Sequence, residues 1–188
     1  YHISSAEEFV QFMDKDTYDA TARIGLLSDI DLEGMTLGSI KKFDGVFDGN
    51  GYKITNWAMT APMFETLNGT LQNLVIDGSC TMENVPHDED FAVMVRYNNG
   101  LISGCTNHVD LKVEGGVFDK PHSVAGVVAV TTSRVEECFN YGDIILLPDD
   151  VQNFTSNAAE GSKLYVGGVV GKVNTLVDPV EVVLCENY

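Results

Sequence analysis

Two aspartates at equivalent positions come closest to a catalytic pair. Asp110 and Asp143 each lie five residues after a cysteine, in the similar segments NHVDLKV and NYGDIIL. If these segments lie side by side, the two carboxyl groups stand roughly 5 Å apart, which is the geometry of a retaining glycosidase and also suits a shared calcium ion. Both residues come just before a predicted strand, where aspartate commonly ends a turn, and we favour this structural role.

A second acidic segment, DGVFDGNG, contains Asp44 and Asp48. It is similar to a calcium loop but lacks the D-x-[DN]-x-[DN]-G spacing and the terminal bidentate glutamate. Two tight turns around one strand explain its glycines and asparagine more simply. We therefore assign no cofactor, and calcium is the one alternative.

A carbohydrate-binding surface would need aromatic side chains aligned on one outer face. The candidates are Trp57, Tyr97, Tyr141 and Tyr165, which the sequence alone does not align. The eleven Lys and Arg form no cluster of the kind that a polysaccharide lyase uses to bind a uronate, and the four histidines share no repeat position. These observations favour binding over catalysis.

An internal repeat must position all of these residues. Cys105, Cys138 and Cys185 each hold the fourth position of the pattern [VI]-x-x-C-x-N, and Leu74 takes the same position in an earlier unit. The separations between these four positions are 31, 33 and 47 residues, so the last unit carries an insertion. Each unit consists of an apolar strand, a turn, a second strand that holds the pattern and a third short strand.

Three short strands per unit, stacked on similar neighbours ~4.8 Å apart, predict an all-β fold, a right-handed parallel β-helix (solenoid). A leucine-rich repeat is the alternative, because residues 71–76 fit L-x-x-L-x-I, but no unit contains its helix-length segment or its fixed period. Ser5 followed by Glu8 is a capping-box pattern, which predicts a short N-terminal capping helix over residues 5–14 that covers the first turn of the solenoid.

The repeat also predicts two columns of side chains. The cysteines at the repeat position read as small buried fillers, with metal ligation or disulfides as alternatives. Asn107, Asn140 and Asn187 follow those cysteines by two residues, and we expect them to form a hydrogen-bonded ladder.

The composition limits the choice of partner. The 188 residues include 28 acidic and 11 basic ones, a net charge of −17, which excludes a nucleic-acid binder that works by bulk electrostatics. No apolar run reaches the ~18 residues of a membrane span. We expect the acids at corners, on outer strand faces and in loops at 83–90 and 148–163, where they solvate an elongated surface.

Four segments of the sequence carry a resemblance to a known family. The segments LSDIDL and FDGVFDGNGYKI, followed by GGVVG and CFNYGDI, resemble the GLUG-type repeats of bacterial cell-surface proteins, which are similar to regions beside IgA-peptidase domains. The likeness runs from about residue 3 to residue 188. It implies one solenoid domain over 1–188 within a longer chain, with first coils at 24–60 and four GLUG-like repeats at 61–188, the last incomplete.

The resemblance further implies an extracellular location on a bacterial surface and no defined reaction. We therefore expect a non-catalytic binding, adhesion or display segment whose partner is an extracellular glycan or a host or surface protein. The alternatives are a polysaccharide lyase or glycoside hydrolase on a β-helix, and a passive structural stalk. An open sheet edge at the C-terminal end is expected to be covered by further chain or by a docking partner.

Overall fold

The protein is described by a computed structural model over residues 1–85, 89–113, 121–146, 164–174 and 180–188. Its described residues contain one helix, α1 (Ala6–Met13). They also form short strands, which in chain order are β1 (His2–Ile3), β2 (Thr17–Tyr18), β3 (Arg23–Leu26), β4 (Ile30–Asp31), β5 (Lys42–Phe43), β6 (Val46–Asp48), β7 (Lys53–Thr55), β8 (Ala58–Met59), β9 (Phe64–Leu67), β10 (Thr70–Gln72), β11 (Val75–Ile76), β12 (Thr81–Val85), β13 (Phe91–Ala92), β14 (Val95–Asn98), β15 (Leu101–Ser103), β16 (Thr106–Asn107), β17 (Leu111–Val113), β18 (His122–Ala125), β19 (Val128–Thr131), β20 (Val135–Glu136), β21 (Phe139–Asn140), β22 (Ile144–Leu146), β23 (Leu164–Gly167), β24 (Val170–Val173), β25 (Val182–Val183) and β26 (Glu186–Asn187).

The strands are arranged in five sheets, and every pairing between them is parallel. The strand orders are β1-β3-β6-β10-β15-β20-β25 in sheet 1, β2-β5-β9-β14-β19-β24 in sheet 2, β4-β7-β11-β16-β21-β26 in sheet 3, β8-β12-β17-β22 in sheet 4 and β13-β18-β23 in sheet 5. The chain is thus an all-β parallel fold with one helix.

Strand pairing follows the sequence repeat. In sheet 3, Val75 pairs with Thr106, which pairs with Phe139. Phe139 in turn pairs with Glu186. These separations of 31, 33 and 47 residues equal those of the repeat, so positions that are equivalent in the sequence are neighbours in the sheet.

The helix forms where the capping pattern predicts it. The Ser5 side chain accepts a hydrogen bond from the backbone N–H of Glu8, as an N-cap does. The Glu8 carboxylate, however, accepts from the backbone N–H of Ser4 at 2.7 Å, one residue before the cap. Phe9, Phe12 and Met13 form the buried face of the helix.

Aromatic rings fill the core beneath the helix. Phe12 lies 5.3 Å from Phe47 and 6.2 Å from Phe43, measured between ring centroids, and Phe9 meets Trp57 edge to face at 5.7 Å. Trp57 is 1% exposed. Trp57 was a candidate for an outer face, and the structure corrects this because its indole ring packs inward against the helix.

Three of the cysteines lie in the core and Cys185 packs against it half-buried, all in the thiol form. None of the four forms a disulfide, and Cys105 and Cys138 are fully buried. Burial raises the pKa of the Cys80 thiol to about 11. A hydrogen bond with Cys105, together with burial, raises the pKa of Cys138. A protonated thiol is a poor nucleophile and metal ligand, which fits the predicted role as small fillers.

The asparagine ladder is present as predicted. The Asn107 amide donates to Asn140 Oδ1 at 2.8 Å, and the Asn140 amide donates to Asn187 Oδ1 at 2.8 Å. Asn107 and Asn140 are buried among apolar side chains. Each also donates to a backbone carbonyl two residues ahead, on Val109 and Gly142 respectively, so the ladder holds the turn that follows.

Glycines let two turns stack directly on their neighbours. A Cβ on Gly100 would lie 1.9 Å from the carbonyl oxygen of Gly69, and a Cβ on Gly69 would lie 1.9 Å from that of Gly45. No side chain fits at these positions, so the turns between sheets 2 and 1 are superimposed backbone on backbone.

One predicted loop starts later than expected. Strand β12 continues to Val85, whereas the loop was expected from residue 83. Residues 86–88 and the loop predicted at 148–163 lie outside the described residues. No helix among the described residues is long and apolar enough to span a membrane.

Candidate functional site

The aspartates of the predicted catalytic pair are neighbours across strands β17 and β22. Asp110 Oδ1 accepts the backbone N–H of Asp143 at 2.8 Å, and both residues are exposed. Asp110 lines a hollow of only about 130 Å³, whereas ligand pockets usually measure roughly 300–1,000 Å³. The contact uses a carboxylate to bond a backbone group of the adjacent strand, which is the turn role favoured from the sequence.

The carboxylates of the predicted calcium segment already have protein donors. Asp44 accepts from the Lys42 ammonium at 2.6 Å and from the Asn68 amide at 2.7 Å. Asp48 Oδ2 accepts from the Gln72 amide at 2.6 Å, and its Oδ1 accepts from the backbone N–H of Asn50 at 2.8 Å. A calcium ion would have to displace these donors.

The same contacts set the pKa values. Hydrogen bonds from Lys42 and then Asn68 lower the pKa of Asp44. Desolvation alone would raise the pKa of Asp48, but hydrogen bonds from Asn50, Gln72 and Asn73 outweigh it and lower the pKa. The folded state therefore binds these two protons less readily than the unfolded chain does.

As a consequence, the free energy of unfolding should decrease at acidic pH. A carboxyl group with a lowered pKa stabilises the fold above its unfolded pKa of about 4, and this contribution disappears as the pH falls through the folded value. We expect Asp48→Asn to lose about 1 kcal/mol of unfolding free energy at pH 7, because its partners are polar and partly exposed. Urea denaturation should show a smaller wild-type advantage at pH 2.5 than at pH 7, and an equal advantage at both pH values would contradict it.

Tyr141 belongs to an aromatic ladder on an outer corner. Its ring stacks on His108 at 4.8 Å and on Tyr188 at 4.7 Å, with the planes within 9° of parallel. All three residues are exposed and occupy one repeat position. Because both faces of the Tyr141 ring are covered, it offers only an edge to a ligand.

Tyr97 lies in a groove on the outer face of sheet 2, and this groove is the best candidate site in the described part of the chain. The groove measures about 420 Å³. Tyr97 is 40% exposed and pairs with Thr66 on one side and Val130 on the other. The rest of the groove is lined by Thr66, Asp90, Asn98, Asn99, Val130, Thr132, Lys172 and Asn174.

Asp90 fixes the Tyr97 side chain. The phenol donates to Asp90 Oδ2 at 3.0 Å, while Asp90 Oδ1 accepts the backbone N–H of Ser123 at 2.8 Å. Burial, followed by the Asp90 charge, raises the pKa of Tyr97 to about 12. The phenol therefore remains protonated at neutral pH and keeps donating this hydrogen bond, which holds the ring in one orientation.

The rim of the groove is a second polar ladder. Thr132 Oγ1 donates to Asn99 Oδ1 at 2.8 Å, and the Asn99 amide donates to Asn68 Oδ1 at 3.0 Å. In contrast to the buried asparagines, Asn99 is exposed. Within the described part of the chain, the side chains of Thr66, Lys172 and Asn174 make no hydrogen bond, so they can donate to a ligand.

Tyr165 is joined to the groove by Lys172. The Lys172 ammonium lies 5.6 Å from the centre of the Tyr165 ring and also lines the groove. Of the four aromatic candidates, Tyr97 alone lines the groove. Tyr165 meets it only through Lys172, Trp57 is in the core and Tyr141 is in the corner ladder.

The sequence analysis missed the polar residues of the groove. A signal for two of them exists, because Asn68 and Asn99 each precede a glycine at equivalent positions of successive units. Lys172 has a signal too, because it lies three residues after Val169 in the last unit, just as Tyr97 lies three residues after Met94. Within the described residues, no group of three His, Cys, Asp or Glu side chains could hold a metal ion.

Comparisons with known proteins add no relative. No protein-family model matches the chain, and neither does any curated protein or solved structure.

Proposed function

We propose that this protein is a non-catalytic glycan-binding segment that binds a neutral sugar chain in the Tyr97 groove. The observation that carries the proposal is the arrangement of the groove itself. One fixed aromatic ring stands beside the Lys172 ammonium and beside the Asn174 side-chain amide and the Thr66 hydroxyl, which make no hydrogen bond to any described residue. An aromatic ring packs on the C–H face of a sugar while amides and hydroxyls bond its hydroxyl groups, which is how small polar sites combine affinity with orientation.

The charges of the groove favour a neutral ligand. Lys172 supplies one positive charge and Asp90 one negative charge, and Asp90 is already bonded to Tyr97 and Ser123. The rest of the protein carries a large net negative charge, which repels polyanions over a long range. Neutral glycans do not meet this repulsion.

We further propose that the parallel sheets wind as a right-handed β-helix in which α1 covers the first turn. The parallel pairing of equivalent repeat positions and the buried aromatic face of the helix support it. In such a scaffold the outer face of sheet 2 presents rows of side chains, and Thr66, Tyr97, Val130 and Lys172, which pair in succession, form one such row. A rigid row of this kind suits a linear glycan.

The context that we propose is a bacterial cell surface, where the segment serves attachment or display. Its support is the resemblance of LSDIDL, FDGVFDGNG and the C-x-N units to GLUG-type repeats. The one-domain organisation over 1–188 within a longer chain belongs to the same proposal.

Replacing Tyr97 tests the groove. We expect Tyr97→Ala to weaken binding of the preferred neutral glycan at least tenfold, or about 1.4 kcal/mol, because the stacking surface and the bond to Asp90 are both lost. A glycan array would identify the ligand, and isothermal titration calorimetry would measure the affinity of the variant.

Tyr52→Ala is the matched control. Tyr52 is 37% exposed, close to the value for Tyr97, but it lies away from the groove. Equal losses in the two variants would overturn the site. A wild-type protein that binds no glycan would favour the passive stalk, and hydrolysis or elimination of a bound glycan that Asp110→Asn abolishes would favour the enzyme.

A further inference from the structure

A second hollow lies at the other end of the molecule, between the end of α1 and the connection from β2 to β3. It measures about 550 Å³, and its lining includes Tyr1, Gln11, Lys15, Tyr18, Thr21 and Arg23. It shares no lining residue with the Tyr97 groove, so the two sites are independent.

The lining of the hollow is positively charged, in contrast to the net negative charge of the protein. Two of the eleven basic residues, Lys15 and Arg23, line it, against a single carboxylate, Asp19. Asp19 Oδ1 accepts from both the backbone N–H and the hydroxyl of Thr21, and these bonds lower its pKa. The charge of Lys15 also lowers the pKa of Asp19, so Asp19 offsets one of the two cations and the side chains of the lining keep one net positive charge.

Both cations are held in place. Arg23 Nη1 donates to the carbonyl oxygens of Ala20 at 2.7 Å and Ala22 at 2.8 Å. A guanidinium has five N–H donors, and the three on Nε and Nη2 make no hydrogen bond to any described residue. This fixed fork suits a carboxylate, which can accept two of those donors side by side.

Lys15 is oriented by an aromatic ring. Its ammonium lies 4.7 Å from the centre of the Tyr18 ring, and the Tyr18 hydroxyl in turn donates to the carbonyl oxygen of Phe12 at 2.9 Å. Because the ring is tied to the helix, the ammonium is held over a defined surface. Gln11 and Thr21 add an amide and a hydroxyl that can bond to sugar hydroxyl groups.

We propose that this hollow binds an acidic sugar of the uronate class. Its carboxylate pairs with Arg23 and Lys15, and its ring hydroxyl groups bond to Gln11 and Thr21. A carboxylate ligand gains from both cations at short range, whereas the net charge of the protein excludes long polyanions. The site therefore selects single or terminal uronate residues.

The test is a titration of the ¹⁵N-labelled chain followed by NMR at constant ionic strength. Sodium glucuronate should shift the amide signals of Tyr18, Thr21 and Arg23 in a saturable manner, while glucose at the same concentration should not. Arg23→Gln and Lys15→Gln should each weaken glucuronate binding at least fivefold, and Arg23→Lys should weaken it less because the charge remains. Lys53→Gln removes an exposed cation elsewhere and should change the affinity less than twofold.

Three results would overturn the proposal. These are equal shifts with glucose, unchanged glucuronate affinity in the Lys15→Gln/Arg23→Gln double variant, and sodium acetate binding as tightly as glucuronate, which would leave a plain carboxylate site. Thermal unfolding of each variant verifies that it is folded. Tyr97→Ala should leave glucuronate binding intact, so failure of this site and failure of the Tyr97 groove are distinguishable.

Discussion

Phe12→Ala should lower the free energy of unfolding by about 3–5 kcal/mol, the usual cost of truncating a buried phenylalanine. Phe12 is 1% exposed, and its ring lies 5.0 Å from Tyr18, 5.3 Å from Phe47, 6.0 Å from Phe9 and 6.2 Å from Phe43, between centroids. Its removal therefore leaves a cavity at the junction of the helix with sheets 1 and 2. Rings on both sheets lose a partner at once, so little of the cavity can collapse.

Gln11→Ala is the control within the same helix. Gln11 is exposed, and alanine has the higher helix propensity, so the unfolding free energy should change by less than about 0.5 kcal/mol. Urea denaturation monitored by circular dichroism measures both variants. A loss below 1 kcal/mol for Phe12→Ala would mean that the helix does not close the core.

The helix and the strand register could be predicted because their signals are local or periodic. Ser5 followed by Glu8 marks a helix start whatever the rest of the chain does, and the cysteine positions fix which residues pair across neighbouring strands. The adjacency of Asp110 and Asp143 follows from the same register. The register did not predict their role, however. The Asp143 backbone N–H donates to the Asp110 carboxylate only because of the direction in which the Asp110 side chain points, which the register does not define.

Trp57 shows where the sequence signal ends. It lies between β7 and β8, outside any regular alternation, so its pattern does not tell an inward ring from an outward one. The position of Phe9, which comes from a distant part of the chain, decides the outcome. Packing of the helix on the sheets is needed to place this residue.

The Tyr97 groove was beyond prediction for a related reason. Its side chains come from several successive units, and the register alone, which pairs Val130 with Lys172, does not show which of these side chains line one groove. The hollow beside Arg23 likewise depends on the path of the connection from β2 to β3, which has no repeat to define it. Sites formed by side chains from different units and connections can be located only in the three-dimensional structure.

Asn140→Ala should cost about 2–4 kcal/mol of unfolding free energy, because it leaves buried polar groups without partners. Asn140 is 1% exposed and makes three hydrogen bonds, to Asn107, Asn187 and the carbonyl oxygen of Gly142. The truncated side chain leaves the Gly142 carbonyl oxygen unpaired and removes one acceptor of the Asn107 amide. Water cannot replace these bonds as long as the column is closed on both sides by strands.

Asn99→Ala separates burial from hydrogen bonding. Asn99 belongs to a ladder of the same form, accepting from Thr132 and donating to Asn68, but it is exposed. Water replaces the lost bonds there, so the expected cost is below about 1 kcal/mol. Urea denaturation of both variants gives the comparison. A larger loss of unfolding free energy for Asn140→Ala would show that burial makes the hydrogen bonds of the inner ladder important for stability. Equal losses in the two variants would show that the inner ladder is open to water.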